Sequence, residues 1–276
     1  MRLVLQLVVV AAVAFAGNQA VAAVAGNPWL TLLFGVATAV LGVLAYAWVV
    51  RRTERRAPTE VAPVGAVAAT GRGLLIGVAM CGAVIANIAF LGSYRIDGFG
   101  SVTGAVALLG FMAAAAVTEE LLFRGVLFRI VEQRTGTWIA LALTGAVFGL
   151  AHLPNPNATF WGATAIAIEA GFMLAAAYAA TRTLWLPIGL HFGWNFALAG
   201  VFGAEVSGND TAQGLLDATL SGPTLFSGGE FGPEGSVYAV AAGAALTVLF
   251  LWLAHRRGHI VPRRPLRTRV DAAPAA

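Results

Sequence analysis

The sequence contains no lysine and a single cysteine, Cys81, among its 276 residues. One cysteine excludes an intramolecular disulfide and any metal cluster built from cysteine ligands. Charged residues make up only 11% of the chain, which is about half of the fraction usual in soluble proteins. Hydrophobic residues make up 59%, so the composition indicates a protein that crosses a membrane several times.

All 17 basic side chains are arginines, and the formal net charge is +4. A basic chain can indicate a nucleic-acid-binding protein. Here the arginines flank apolar stretches, which favours anionic lipid headgroups over nucleic acid as their partners. We therefore expect the lipid bilayer and membrane-associated molecules to be the partners, whereas the sequence does not indicate an oligomeric state.

Long apolar stretches follow one another along the chain. Because a helix needs about 20 residues to cross the hydrocarbon core, breaks at Gly, Pro, Asn and charge clusters divide the sequence into candidate spans. These lie near residues 3–25, 28–50, 72–93, 102–128, 137–153, 159–181, 184–203 and 236–254. The predicted fold is all-α, a polytopic transmembrane helical bundle of about eight spans around an intramembrane active-site cavity.

Arginines are concentrated in alternate loops between these spans, whereas segment 204–235 is acidic and has no basic residue. The positive-inside rule therefore predicts a multi-pass protein of the cell (inner or plasma) membrane with both termini in the cytoplasm. A signal peptide cleaved after Ala16 is the alternative for the first span, and it would leave the later spans oriented as before.

The same boundaries predict four segments. Residues 1–71 form two spans and a cytoplasmic linker, and residues 72–203 form the membrane core. Residues 204–235, rich in Gly, Ser and acidic side chains, form an exposed extracytoplasmic loop. Residues 236–276 form the last span and a basic, disordered cytoplasmic tail.

Ionisable side chains inside apolar spans are the strongest functional signal. Each costs about 2.5–3.5 kcal/mol at the centre of a membrane helix, so a functional reason for its presence is expected. The polar clusters are Glu119-Glu120 with Arg124, His152 behind Phe148, and His191 with Asn195. We predict that they converge on one buried, water-containing active site.

The spacing of the first cluster assigns different roles to its two carboxylates. Glu120 and Arg124 are four residues apart and can form an intrahelical ion pair, which indicates support of the site. Glu119 lies about 100° around the helix and has no local cation, which suits it to proton transfer. Glu169, in the sixth span, either helps to bind substrate or shape the cavity, or is a buried carboxylate held by a neighbouring donor. Trp194 is expected to line the cavity.

Two reactions fit these residue types. In the first, Glu119 and His152 deprotonate a water that attacks a carbonyl, and His191 and Asn195 donate hydrogen bonds to the oxyanion. In the second, Glu119, His152 and His191 bind a divalent metal such as zinc, which activates the water. The sequence has no HExxH motif, and spacing alone does not decide between the two.

The three clusters also form motifs. Residues 119–124 read EExxxR, residues 148–152 read FxxxH, and residues 191–195 read HxxxN. In this order they resemble the CPBP (CAAX protease and bacteriocin-processing, or Abi) family of intramembrane proteases, which includes the type II CAAX prenyl endopeptidases. The resemblance covers about residues 103–200 and is specific to the family but not to a substrate.

The resemblance implies a bundle of about eight helices with a cavity reached from the membrane. It implies water activation by Glu119 and His152, and oxyanion binding by His191 and Asn195. Family members are described both as metalloproteases and as glutamate proteases, so the cofactor stays open. The implied function is hydrolysis of a membrane-associated substrate, prenylated or bacteriocin-like.

Other functions are compatible with part of this evidence. Bacterial relatives are linked to bacteriocin immunity or to scaffolding, and the chain looks bacterial in composition. A non-catalytic membrane scaffold or self-immunity protein of the same fold is therefore the alternative. A proton-coupled transporter is disfavoured because the spans do not divide into inverted halves.

Overall fold

The computed structural model describes residues 1–210 and 214–263, and eight main helices follow one another in this part of the chain. Helices α1 to α8 comprise Arg2–Ala23, Pro28–Glu54, Ala66–Phe90, Val102–Thr135, Thr137–Leu150, Phe160–Thr181, Trp185–Asn195 and Val237–Arg256. Each overlaps a predicted span. The prediction of an all-α, polytopic helical fold is therefore confirmed.

The number of membrane crossings differs from the prediction. In the described residues, six helices are long and apolar enough to cross a membrane, namely α1, α2, α3, α4, α6 and α8. Helix α5 has 14 residues and α7 has 11, although α7 continues as the π-helix Phe196–Val201. The chain is a multi-pass membrane protein, but the count of eight spans is not confirmed.

Side-chain caps fix where several helices begin. Asn27 accepts hydrogen bonds from the first backbone N–H groups of α2, and Pro28 occupies the first helical position, where its missing N–H is not needed. Ser101 caps α4, Thr159 caps α6 and Ser236 caps α8 in the same way. Ser and Thr therefore start three of the helices that carry or surround the polar clusters.

Glycines allow α3 to pack closely against α7. A Cβ added to Gly73 would collide with the backbone oxygen of Leu186, and one added to Gly77 would collide with that of Leu190. Small residues let membrane helices approach at backbone distance, and the close van der Waals packing stabilises the pair. The contact holds the helix that carries His191 in a fixed position.

At one end of the bundle, arginines pair with buried glutamates. The Arg129 guanidinium lies 2.8 Å from Glu54 and donates to Gln6 at 2.9 Å. Arg56 lies 2.6 Å from Glu60. The expectation that the flanking arginines face lipid headgroups is therefore wrong for Arg129, because burial beside Glu54 satisfies its charge within the protein. The carboxylates of Glu60 and Glu54 also raise the pKa of Arg56.

At the other end, two short strands form an antiparallel ribbon that the sequence did not predict. Strand β1 (Tyr94–Phe99) pairs with β2 (Leu216–Leu220), with an irregularity between Ile96 and Gly98. Segment 204–235 also differs from the predicted exposed loop, because Phe231 and Glu234 are buried against the helices. The predicted disordered tail begins after His255, and the prediction is wrong for residues 256–263, where Arg257 and His259 are hydrogen-bonded to the Ala180 carbonyl. Residues 211–213 and the tail from residue 264 onward lie outside the described residues.

Candidate active site

The structure brings four of the predicted site residues to one cavity. Glu119 of α4, His152 after α5, and His191 and Asn195 of α7 line a cavity of about 370 Å³. His191 and Asn195 are buried, whereas Glu119 and His152 are partly exposed to the cavity. The three motifs, which lie within residues 119–195 of the sequence, thus contribute side chains to a single space.

The remaining residues of the motifs support this cavity from behind. Arg124 donates to Glu120 across 2.7 Å, and both side chains are almost fully buried. The same guanidinium donates to the carbonyl oxygens of Ala170 and Gly171, at 2.9 and 3.1 Å. The central carbon of the Arg124 guanidinium lies 4.3 Å from the centre of the Phe148 ring. Arg124 therefore ties α4 to α6 while it neutralises Glu120.

Three π-helical segments surround the site. They comprise Leu121–Phe128, directly after Glu120, Ala167–Phe172, which contains Glu169, and Phe196–Val201, directly after Asn195. π-Helical turns are rare and frequently occur at functional sites. The carbonyl groups that Arg124 binds belong to the second segment, so the wider turn provides acceptors for the buried guanidinium.

His191 is oriented by a carboxylate. Its Nδ1 lies 3.0 Å from Oε1 of Glu120. An ionised carboxylate can only accept, so Nδ1 carries the hydrogen and donates it. The opposite nitrogen, Nε2, then faces Glu119, with Oε2 of that residue 4.0 Å away. Glu120 therefore fixes which ring nitrogen of His191 points into the cavity.

His152 is oriented by a backbone carbonyl instead. Its Nδ1 lies 2.8 Å from the carbonyl oxygen of Phe148, which can only accept a hydrogen bond. In the neutral ring, Nε2 then carries a lone pair and can accept a proton from water. The Phe148 ring contacts both imidazoles, with ring centres 4.9 Å from His152 and 6.2 Å from His191.

Glu119 is the least constrained of these groups. Its side chain is 31% exposed, in contrast to the fully buried Glu120. Oε2 of Glu119 has no hydrogen-bond partner among the described residues. That oxygen is buried, so the exposed remainder of the side chain is the part that lines the cavity and can contact a water or a substrate group.

Comparison with known proteins identifies the segment that carries this geometry. Residues 101–197 match the family model described as type II CAAX prenyl endopeptidase Rce1-like. The central segment of the chain is therefore similar to this family of membrane endopeptidases. The predicted resemblance is thereby confirmed, because the matched residues contain all three motifs and the family suggests a membrane protease.

A curated relative supports the same assignment over a shorter stretch. The chain is 28% identical over 79 residues to a protein of Bacillus subtilis (strain 168) that is named "Putative membrane peptidase YdiL". The match covers 29% of this chain and 30% of that protein, so it spans less than a third of the relative's length. No solved structure matches the chain.

A zinc site would need Glu119, His152 and His191 close together around one ion. In residues 1–210 and 214–263, no three His, Cys, Asp or Glu side chains are grouped so that they could hold a metal ion. The imidazole of His191 and the carboxylate of Glu119 approach each other to 4.0 Å, and His152 does not complete a set of three with them. These side-chain positions therefore do not fit a three-ligand zinc site.

Several residues at the cavity could not be identified from the sequence. Val206, Ser207 and Asn209 line it, although they belong to the segment that follows the Rce1-like match. The side chain of Asn155 donates to the backbone oxygen of Ser207 at 2.7 Å and joins this segment to the turn after α5. No spacing or composition signal distinguishes these residues from other polar loop residues.

Two further residues line an adjoining smaller cavity. Trp194 lines this smaller cavity and not the cavity of about 370 Å³, and its indole N–H donates to Glu234. Glu169 also lines it, and neither of its carboxyl oxygens has a hydrogen-bond partner in the described part of the chain. Of the alternatives for Glu169, a carboxylate held by a neighbouring donor is therefore wrong for the described part of the chain.

Proposed function

We propose that this protein is an intramembrane endopeptidase that hydrolyses a peptide bond in a membrane-associated substrate. One observation carries the proposal: Glu119, His152, His191 and Asn195 line the same cavity, beside a fully buried Glu120–Arg124 pair. The Rce1-like match and the membrane-peptidase name of the relative support the same reaction class.

In the proposed mechanism, Glu119 and His152 hold the attacking water. Glu119 accepts one proton of this water, and the resulting hydroxide adds to the carbonyl carbon of the peptide bond. Nε2 of His152 accepts the hydrogen bond from the other proton, since its Nδ1 is committed to the Phe148 carbonyl. When the C–N bond breaks, Glu119 returns its proton to the leaving amine, so the carboxylate is regenerated.

His191 and Asn195 are proposed to stabilise the oxyanion that forms during this attack. The Asn195 amide has N–H donors, and His191 can donate from Nε2 when its ring carries both protons. The carboxylates of Glu120 and Glu119 flank that ring and stabilise its positive charge. These donors are fixed by packed helices, which is the arrangement that lowers the barrier without reorganisation.

An apolar space next to the cavity supports a membrane-associated substrate. A groove of about 450 Å³ is lined largely by apolar side chains of α1 and α4. It shares Asn18, Phe111 and Asn209 with the catalytic cavity. A substrate with an apolar segment could therefore lie in the groove while its peptide bond reaches the carboxylate and the imidazoles.

Replacing Asn195 by Ala is expected to lower kcat/KM by about 100- to 1000-fold, since one oxyanion donor is lost. The measurement is the hydrolysis of a fluorogenic, membrane-anchored peptide by the purified protein in proteoliposomes. Asn87→Ala is the matched control, because Asn87 is exposed on α3 and donates only to Ala83 of its own helix. Equal rates for both variants would remove Asn195 from the mechanism.

Comparing the peptides of membranes from cells that express the wild type or Glu119→Gln tests the proposed function without a known substrate. We expect cleaved fragments of membrane proteins that are present with the wild type and missing with the variant. Identical fragment sets in both membranes would contradict the endopeptidase proposal.

A further inference from the structure

Two buried carboxyl groups lie beside the catalytic cavity and have no part in the mechanism above. Glu169 and Glu234 line a small cavity of about 10 Å³. A space of this size corresponds to about one water molecule. Three of the proposed site residues, His152, His191 and Asn195, also line it, so the two carboxyl groups lie directly behind the site.

Glu234 binds the segment that forms one wall of the catalytic cavity. Its Oε1 accepts a hydrogen bond from the Trp194 indole at 2.9 Å. Its Oε2 accepts from the hydroxyl of Ser207 at 3.0 Å and from the backbone N–H of the same residue. Glu234 thus joins α7, which carries His191 and Asn195, to residues 204–210, which we call the outer segment.

The backbone of Ser207 indicates that the outer segment is held under constraint. Its φ is +55°, in the left-handed region that residues other than glycine rarely adopt. Such a conformation persists where surrounding contacts enforce it, and it is common at functional sites. Glu234 and Asn155 provide those contacts, and Ser207 itself lines the catalytic cavity.

Glu169 is buried in the same small cavity and has no hydrogen-bond partner among the described residues. It is 1% exposed, and both of its oxygens lack a hydrogen-bond partner among the described residues. Two carboxyl groups in one small buried space cannot both ionise at low cost. Burial raises the pKa of Glu234, against the opposing effect of the Trp194 and Ser207 donors. The other titratable groups that face the pair are His152, His191 and Cys81.

We propose that Glu169 and Glu234 share one proton through a water molecule in the small cavity, and that this pair latches the outer segment over the catalytic cavity. Glu234 is then a positioning residue, which acts on the substrate through Ser207 and the rest of the outer segment. The effect on catalysis rests on the proposed function, whereas the shared proton and the latch do not.

Infrared spectroscopy of the reconstituted protein tests the shared proton without any assay of cleavage. At neutral pH, we expect the C=O stretch of a neutral carboxyl group in the wild type. Glu169→Gln should remove this band, because Glu234 then ionises among its three donors. Glu230→Gln is the matched control, since Glu230 belongs to the same segment but is exposed, and it should leave the band unchanged. A band that persists in Glu169→Gln would overturn the shared proton.

Hydrogen–deuterium exchange tests the latch. Glu234→Gln replaces an acceptor by an NH2 group, which cannot accept from both Trp194 and Ser207, so exchange of amides 204–210 should rise by roughly 10- to 100-fold. Ser207→Ala, which removes one of the three hydrogen bonds, should give a smaller rise and guards against misfolding of the first variant. Unchanged exchange in both variants would overturn the latch.

Kinetics separate this proposal from the proposed function. If the protein is a peptidase, Glu234→Gln should raise KM more than it lowers kcat, because the outer segment lines the cavity without supplying the reacting groups. Glu230→Gln should change neither constant. Faster exchange in Glu234→Gln together with a wild type that cleaves nothing would refute the endopeptidase and leave the latch standing. Normal cleavage by the wild type together with unchanged exchange in Glu234→Gln would refute the latch and leave the endopeptidase standing.

Discussion

Replacing Glu119 by Gln is expected to reduce kcat/KM for peptide hydrolysis by a factor of about 10²–10⁴. The amide keeps the size of the side chain but cannot accept the proton of the attacking water. The environment of the variant side chain should change little, since Glu119 is 31% exposed to the cavity and its Oε2 has no hydrogen-bond partner among the described residues. Single-turnover hydrolysis of a membrane-anchored peptide in proteoliposomes measures the effect.

The control for this variant must separate lost chemistry from lost structure. Glu230→Gln makes the same chemical change at an exposed position and should retain full activity. Both variants should unfold at the wild-type temperature. A Glu119→Gln protein that cleaves as fast as the wild type would favour the scaffold or self-immunity function instead. Repeating the assay with a chelator examines the metal alternative, because a loss of activity that zinc restores would contradict the metal-free mechanism.

Replacing Arg124 by Ala is expected to destabilise the protein by about 3–5 kcal/mol. The change leaves the fully buried Glu120 carboxylate without its cation, and the carbonyl groups of Ala170 and Gly171 lose the hydrogen bonds from the guanidinium. It also removes the contact with the Phe148 ring, which supports both imidazoles. Thermal unfolding in detergent micelles measures the destabilisation.

Two other arginine variants make this result interpretable. Arg134→Ala removes an exposed arginine near the end of the same helix and should change stability by less than about 0.5 kcal/mol. Arg124→Lys keeps a positive charge but cannot reach Glu120 and both carbonyl groups with a planar fork, so it should fall between the wild type and Arg124→Ala. If Arg124→Ala is as stable as Arg134→Ala, the supporting role of the ion pair is wrong.

The helices and the polar clusters could be predicted because their signals are local. A continuous apolar stretch specifies a membrane helix through its length, and Asn27 or Ser101 marks where such a helix begins. An intramembrane carboxylate such as Glu119 stands out because its burial is costly unless it has a function. These signals need no knowledge of which helices are neighbours.

The remaining features depend on tertiary structure. The pairing of Arg129 with Glu54 joins residues 75 positions apart, and no local pattern relates them. Glu234 contacts Trp194 and Ser207 only because the chain between α7 and α8 folds back onto α7. The π-helical turns follow from how the helices pack around Arg124, since their sequences read as ordinary apolar helix. The apolar pattern also did not reveal that α5 and α7 are shorter than the other helices, because apolar residues continue past the points where these helices end.

The most direct test of the proposed mechanism is a double-mutant cycle for Glu119→Gln and His152→Ala, measured as kcat/KM on one membrane-anchored peptide. If both side chains act on the same water, removal of either one abolishes the same step. The double variant should then be about as slow as the slower single variant. Losses that multiply in the double variant would mean that the two residues act independently and would contradict a shared water.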